Sequence, residues 1–589
     1  MIKVSDFIMK RLNETYGVKC VFMVSGGGAM HLNDSVGKYV PYVCNHNEQA
    51  SGICGEAYAR YDGKLAVVSV TTGPGGLNAL NGLFGAFTDS APVLFISGQV
   101  KFSTCKASCP DLPLRQLGDQ EVDIVSVVKP LTKYAEMITD PRKVKYCLDK
   151  AVFEATHGRK GPVWLDVPIN VQAASVDEAD LEDFAAPEKS AGDLKINEVV
   201  QKLSAAQRPL IVAGHGIRLS GQIETFRRLL DKLNVPVVTT FNAFDLMPDD
   251  DARYVGRIGT VGQRAGNFAL QNADCVLFLG TRNNIRQASY NYENFAKRAF
   301  KIVVDIDRAE LDKPTVRPDL PVCADLSDFL PALTAAVSRI DAADWMKWCL
   351  ARKERFSFEN TPEYQQTGDK INPYYAVRRL TELMPENTPF VMANGFACVG
   401  SFQAAVVKKG QRFLLNSGDA SMGYDLPAAV GVCLSSGKKN TVCLAGDGSI
   451  MMNLQELQTI RHHRLPVKIF VVNNDGYLSI RQTQNNFFEG RHCGDGRASG
   501  VSLPDFVKVG EAFGIKSLKL ADVRAFDETV SGVLAANEPV LCEITVDPDV
   551  VFSPKLSARV LPDGSMVSPA LEDMYPFLDR AEFERNMIG

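Results

Sequence analysis

Gly446-Asp447-Gly448 follows the apolar run Thr441-Val442-Cys443-Leu444-Ala445, and Asn473-Asn474 follows a second apolar run, Val467 to Val472. Between them, Leu454, Leu457 and Ile460 recur at helical spacing. This order predicts strand, tight turn, helix, strand, turn: a βαβ unit with polar groups at the carboxyl ends of two parallel strands. Open α/β sheets bind their ligands at those ends. Glycine lets the backbone approach a phosphate closely. Asp447 and Asn474 offer hard oxygens of the kind Mg²⁺ takes, and that ion completes its octahedron with phosphate and water. Metal-assisted binding of a diphosphate is the chemistry that this spacing serves. The plainer alternative is an ordinary βαβ turn with a solvated Asp447.

Such a unit needs a sheet around it, and the rest of the chain supplies the pattern for three. At 589 residues the length suggests roughly three or four domains. Residues 1–180 alternate short apolar strands (Val67 to Val70, Val93 to Ser97, Val163 to Val167) with helices, and 175–195, rich in Asp, Glu, Ala and Ser, reads as a linker. A second unit, 194–340, runs through Pro209 to Gly214, Val235 to Val238, Cys275 to Gly280 and Ile302 to Asp305. A polar connection from Lys353 to Asp369 leads to the third unit, 370–549, which holds the metal motif. The class expected is α/β, with three doubly wound parallel-sheet domains. Residues 550–589 lose the rhythm, carry prolines at 554, 562, 569 and 576, and are expected to form an extended tail on the body or over a cleft.

Composition narrows the partners. Hydrophobic content of 46% and charged content of 23% describe an ordinary globular protein, and a net charge of −5 without a basic tract argues against nucleic acid. No apolar run approaches the ~20 residues that span a bilayer, and the first residues lack the pattern of a secretory signal. Fourteen cysteines, Cys105 and Cys109 included, show no zinc-type pairing and suit reduced thiols in a cytoplasm.

GDG, twenty-four residues, then NN resembles the signature of the thiamin diphosphate (ThDP) enzymes of the pyruvate-decarboxylase and acetolactate-synthase superfamily. The likeness runs from Val4 to about Asp549. It implies a pyrimidine-binding domain (1–180), a central domain (194–340) and a diphosphate-binding domain (370–549). It also implies Mg²⁺ at Asp447, Asn474 and Gly476, with ThDP contacts from Gly446, Gly448, Ser449 and Tyr477. Ser417 to Pro427 is similar to the family loop in which an apolar residue wedges between the cofactor's two rings; Met422 takes that place, flanked by Ser421 and Gly423. Asn45-His46-Asn47-Glu48-Gln49-Ala50 resembles the family's His-Glu-Gln segment. It makes Glu48 the acid at pyrimidine N1′ that relays the proton needed to form the C2 carbanion. Without the resemblance, Glu48 is simply an acid opening a helix from Glu48 to Tyr61, where it suits the dipole. Gly28 in the turn Ser25 to Ala29, the turn Thr72-Gly73-Pro74-Gly75, and Gln120 match family positions around the reacting centre. Gly395-Phe396-Ala397 replaces the family's Gly-Gln-His, which places Phe396 against ThDP.

The central domain points to one branch. Gly280-Thr281-Arg282-Asn283-Asn284-Ile285-Arg286 resembles the acetolactate-synthase stretch Gly-Val-Arg-Phe-Asp-Asp-Arg. It implies FAD contacts from Gly280, Thr281, Arg282 and Asn283, joined by Gly256, Asp305, Ile306 and Asp325, with FAD doing no net redox work. A guanidinium fork suits a 2-oxo-acid carboxylate, so Arg286 is the expected substrate-orienting group. Two departures bear on the acceptor. Thr483 stands where the branch has a pocket-narrowing tryptophan, and the tail is similar to proteins that transfer a two-carbon unit to a nucleotide-linked keto-deoxysugar. The expectation is therefore a ThDP-, Mg²⁺- and FAD-containing carboligase that decarboxylates pyruvate and passes the two-carbon unit to a 2-oxo acid or such a sugar. The alternatives are a simple 2-oxo-acid decarboxylase, an FAD-dependent pyruvate oxidase and a silent ThDP-binding regulatory subunit. In this family Glu48 of one subunit meets the clamp of another, so a homo-oligomer with sites between subunits is expected.

Overall fold

A computed structural model of the chain describes all residues except 189–191, 561–562 and 589. Three sheets carry the architecture, each of six strands and each parallel throughout. The first runs Tyr42–Cys44, Val21–Met23, Ala66–Val70, Val93–Gln99, Val163–Pro168, Tyr134–Met137 from edge to edge. The third repeats that topology: Arg412–Leu415, Pro389–Met392, Thr441–Gly446, Val467–Asn473, Val540–Thr545, Lys516–Leu520. The middle sheet differs, with its first strand central: Tyr254–Arg257, Val237–Thr239, Pro209–Ala213, Cys275–Leu279, Phe300–Asp305, Leu320–Cys323. Helices cover both faces, so a strand such as Cys275–Leu279 is buried along its whole length and reads as an unbroken apolar run.

The crevices that matter follow from these orders. The order in which strands are added switches from one side of the sheet to the other between Val21–Met23 and Ala66–Val70 in the first domain, and between Pro389–Met392 and Thr441–Gly446 in the third. In the middle domain it switches between Pro209–Ala213 and Cys275–Leu279. Strands flanking such a switch splay their connections apart and leave room at their carboxyl ends. The turns Gly26–Gly28 and Thr71–Gly75, Asn394–Gly395 and Gly446–Gly448, and Gly214–Gly216 and Gly280 all stand at those ends.

The first and third domains share a hydrophobic core. Helix Glu48–Asp62 lies on helix Asp425–Ser435, with Ile53, Cys54 and Ala57 packed among Leu426, Val430 and Cys433. The approach is close enough that a Cβ on Gly431 would stand 2.3 Å from Cys54 O. The middle domain has its own core.

Two of the segments outside the sheets pack against the domains. The tail is a strap on the middle domain: Asn267 Nδ2 donates to Leu571 O at 3.0 Å, Arg264 Nη1 to Met574 O at 3.2 Å, and Arg352 Nη2 to Arg585 O at 2.9 Å. Its start, Phe552, stacks on Phe396 with centroids 6.1 Å apart. The stretch from Lys353 is also no loose connection, since Lys353 closes helix Ala343–Arg355 and donates to Asp249 O and Tyr254 O, while Tyr364 is buried against Tyr374. The linker expected over 175–195 includes 189–191, which lie outside the described residues. Among the described residues no helix is long and apolar enough to cross a membrane, and the fourteen cysteines are free thiols.

Candidate functional site

Asp447 begins a one-turn helix at the end of strand Thr441–Gly446 and is 2% exposed. Its carboxylate organises the turn around it. Oδ1 accepts from Gly448 N at 2.6 Å, and Oδ2 accepts from Asn474 N at 2.9 Å and Gly476 N at 3.1 Å. Burial pushes its pKa up to about 6, against the pull of those three N–H groups. The Asn474 amide reaches the same point. Its outer atom lies 3.2 Å from Asp447 Oδ2 and 2.8 Å from Gly476 O. An amide oxygen there faces only acceptors, which a shared cation resolves; without a cation the amide turns its nitrogen to them. With the amide oxygen turned inward, carboxylate, amide and carbonyl oxygens would form the donor set Mg²⁺ takes.

Glycine is required around the cluster for identifiable reasons. A Cβ on Gly448 would meet Tyr477 Cε1 at 2.1 Å, and Gly476, at φ +122°, would meet Asp495 O at 2.1 Å. At Gly446 a Cβ would meet only Ser449 Cβ, at 3.9 Å. Ser449 ties the clamp to the neighbouring loop: its Oγ accepts from Gly423 N at 2.9 Å and donates to Asp425 Oδ2 at 2.7 Å. Asn453 Nδ2 holds Gly423 O at 2.7 Å, and Asn416 Nδ2 holds Ser421 O at 3.0 Å. Met422, half-buried, sits between these anchors.

Glu48 occupies the first turn of helix Glu48–Asp62, after an Asn47 cap that accepts from Gln49 N. The preceding segment is fixed from the third domain. Buried Glu456 accepts from Asn45 Nδ2 at 2.8 Å and from His46 N at 2.9 Å. Glu48 Oε2 accepts from Asn78 Nδ2 at 3.0 Å, and Oε1 faces Gly75, where a Cβ would stand 3.5 Å away. Gly28 backs onto Thr72 in the same crevice. Gln120 is exposed at φ +61°, with its carbonyl pressed against Gly73 so tightly that a Cβ there would lie 1.9 Å away.

In the middle domain a cavity of about 1050 Å³ opens at the strand ends. Gly280, Thr281, Arg282, Asn283, Asp305, Ile306 and Asp325 all line it, and so do Arg286 and the turn His215-Gly216. Gly214 and Gly216 pass so close to Gly280 that Cβ atoms would stand 2.3 and 2.7 Å from its backbone. His215 Nδ1 contacts Asn242 O at 2.9 Å, while its buried Nε2 has no partner among the described residues. Burial and three arginines hold the ring neutral. Arg286 is exposed, with its guanidinium 5.7 Å above the Phe241 ring and in no ion pair among the described residues.

Two expected contacts are not placed as the sequence suggested. Phe396 is 5% exposed and packs edge-on against Tyr374 at 5.0 Å, so its side chain belongs to the core. Gly256 lies within strand Tyr254–Arg257, against Gln263 Oε1, away from the cavity wall. Sequence reasoning passed over Glu456, and also Glu56, Arg60 and Asp89, which form a buried polar cluster beside the Met422 loop. A Glu–Arg pair four apart in the largely apolar stretch from Gly52 to Tyr61 was the signal for Glu56 and Arg60.

Three family profiles match the chain: thiamine pyrophosphate enzyme, N-terminal TPP binding domain (residues 2–127), central domain (196–333) and C-terminal TPP binding domain (395–544). The chain is 30% identical over 568 residues to the acetolactate synthase large subunit of Lactococcus lactis, covering 95% of each. It is 30% identical to the probable acetolactate synthase large subunit of Methanocaldococcus jannaschii, over 93% of this chain and 92% of that one. With the acetolactate synthase isozyme 2 large subunit of Escherichia coli it shares 29% identity, over 90% and 93% respectively. The chain belongs to the thiamine pyrophosphate enzymes and is acetolactate synthase-like.

Proposed function

We propose that this protein is a ThDP- and Mg²⁺-dependent carboligase that decarboxylates pyruvate and transfers the two-carbon unit to an acceptor carbonyl. The observation that carries the reading is the meeting of Asp447 Oδ2, the Asn474 amide and Gly476 O at the end of strand Thr441–Gly446. Those oxygens would hold Mg²⁺ against a diphosphate. When bound, ThDP supplies a carbon nucleophile and an electron sink. The chain's own groups do the rest. Glu48 holds or moves the proton at the pyrimidine, Met422 sets the angle between the rings, and Arg286 orients a carboxylate from its unpaired position.

FAD is the occupant proposed for the middle-domain cavity. The buried, unpartnered Nε2 of His215 and the glycine turns that keep the floor clear support that fit. A homodimer is proposed as the smallest active unit. Glu48 and Asp447 each make their contacts within their own domain, and apolar side chains stand exposed in the same domains. Leu77, Phe84 and Phe87 are exposed on the two helices that follow the Thr71–Gly75 turn, while Met451, Met452 and Ile480 are exposed in the segments just after Gly448 and Gly476. A second copy would cover these faces and bring the two half-sites together. Thr483, exposed on helix Leu478–Phe487, leaves the acceptor side open, which supports an acceptor larger than a second pyruvate, such as a nucleotide-linked keto-deoxysugar.

The test is incubation of the protein, ThDP, Mg²⁺ and pyruvate with a panel of 2-oxo acids and nucleotide-linked ketosugars, with products identified by mass. An acceptor enlarged by an acetyl unit supports the proposal. Acetaldehyde as the sole product with every acceptor would replace it with a simple decarboxylase.

A further inference from the structure

Arg60 carries a permanent charge and is 2% exposed. Its Nη1 donates to Glu56 Oε1 at 2.8 Å, lies 3.0 Å from Asp89 Oδ2 and reaches Tyr424 OH at 3.1 Å. Its Nη2 donates to Leu415 O at 3.1 Å. Tyr424 OH donates to Glu56 Oε2 at 2.9 Å, and Asn242 Nδ2 of the middle domain donates to Asp89 Oδ1 at 2.9 Å. Glu56, Asp89 and Tyr424 are themselves 1%, 6% and 2% exposed. One guanidinium thus sits where all three domains meet.

Stability of the fold does not explain this cluster. Each buried ion costs several kcal/mol of lost hydration, and apolar replacements of buried ion pairs are often as stable or more so. Its position suggests another purpose. Leu415 ends the strand before the Met422 loop, and Tyr424 follows that loop, so Arg60 grips both ends of 416–423. Between the ends the loop leans on the same cluster. A Cβ on Gly418 would stand 2.6 Å from Asp89 Oδ1, and one on Gly85 would stand 3.1 Å from Asp419 Oδ2. The far side is fastened to the clamp through Ser449 and Asn453. With the path set at both ends and at its middle, Met422 has one place to be.

We propose that Arg60, acting through Glu56, Asp89 and Tyr424, is the positioning residue that sets Met422 at the angle needed to activate the cofactor. The proposal rests on the ThDP reading above. Two variants test it with full-length protein. Tyr424→Phe keeps the ring and removes the hydroxyl; Arg60→Lys keeps the charge and removes the fork that reaches both loop ends. Tyr254→Phe, which removes a buried hydroxyl bonded to Thr239 Oγ1 far from the loop, is the control for purely structural loss. The readout is the rate of hydrogen–deuterium exchange at C2 of bound ThDP, under saturating ThDP and Mg²⁺. Misplacing reacting groups by ångströms costs orders of magnitude, so exchange should slow by at least about tenfold in both loop variants. It should stay at the wild-type rate in Tyr254→Phe, even where the melting temperatures fall equally. Wild-type exchange in both saturated loop variants would overturn the proposal. Failure of the wild-type protein itself to take up ThDP would overturn the reading beneath it.

Discussion

Asp447→Asn separates the two roles of this carboxylate, and the structure sets the size of each effect. In the empty protein the rise of its pKa from 3.8 to about 6 means that burial, set against the three N–H groups, disfavours the ionised form by about 3 kcal/mol on balance. A neutral amide removes that burden. It also loses one acceptor, and the least damaging orientation turns the amide nitrogen toward Gly448 N and leaves that N–H unpaired, at about 1–3 kcal/mol. The two effects oppose each other, so the melting temperature of the empty protein should move by no more than about 4 °C. The loaded protein behaves differently. Mg²⁺ and the diphosphate lose their one charged protein ligand in a buried site, which costs about 3 kcal/mol or more and weakens ThDP binding by at least about 100-fold. Wild-type protein held at 100 times its dissociation constant gains about 2.7 kcal/mol from the ligand, and the variant at the same concentration gains only ~0.4 kcal/mol. Calorimetric titration of ThDP with Mg²⁺, together with melting curves with and without both, measures the two effects. Unchanged ThDP affinity would refute the clamp. A drop in the empty protein's melting temperature as large as the lost ligand stabilisation would show that Asp447 serves the fold alone.

The same carboxylate predicts a pH dependence. An acid whose folded pKa is raised contributes stability that is fully present below pH 3.8 and is lost as pH rises through about 6. Binding selects the ionised form, so ThDP–Mg²⁺ affinity should fall about tenfold per pH unit below 6 and level off above it; flat affinity from pH 5 to 8 would argue against this ligand. Glu48→Gln should leave ThDP bound and slow C2 exchange by about 100-fold or more, the usual worth of a proton-transferring group, and wild-type exchange would remove Glu48 from that role. Mixing inactive Glu48→Gln with inactive Asp447→Ala protein should restore about a quarter of wild-type activity, because half of randomly exchanged dimers are mixed and each holds one intact site. No recovery, with exchange shown by tagged subunits, would place each site within one chain.

The sheets were legible because a parallel strand covered on both faces reads as an apolar run, unbroken in Cys275–Leu279 and interrupted only by Lys468 from Val467 to Val472. Turn glycines at the ends of those strands marked the crevices for the same physical reason, since only glycine allows the approaches seen at Gly448 and Gly476. Side-chain direction was not legible. Phe396 follows a turn at Gly395 with φ +62°, and only the packing of Tyr374 and Phe552 shows that its ring points into the core. Gly256 sat in the right stretch of sequence, but Gln263 occupies its open side. Glu56 and Arg60 stand four apart on one helix, and nothing in that spacing shows that the pair is buried. Nor could spacing reveal that the Asn474 amide reaches both Asp447 Oδ2 and the Gly476 carbonyl, because that depends on the turn between them.

The central claim is that this site makes a carbon–carbon bond, and carbon-13 spectroscopy tests it most directly. Pyruvate labelled at C2 is supplied to the protein with ThDP and Mg²⁺, in the presence of a 2-oxo acid or nucleotide-linked ketosugar acceptor. A labelled carbonyl carbon coupled to a new quaternary carbon of the acceptor, with release of CO₂, is the predicted result. Labelled acetaldehyde or acetate alone, or no consumption of pyruvate by ThDP-loaded protein, would contradict the claim.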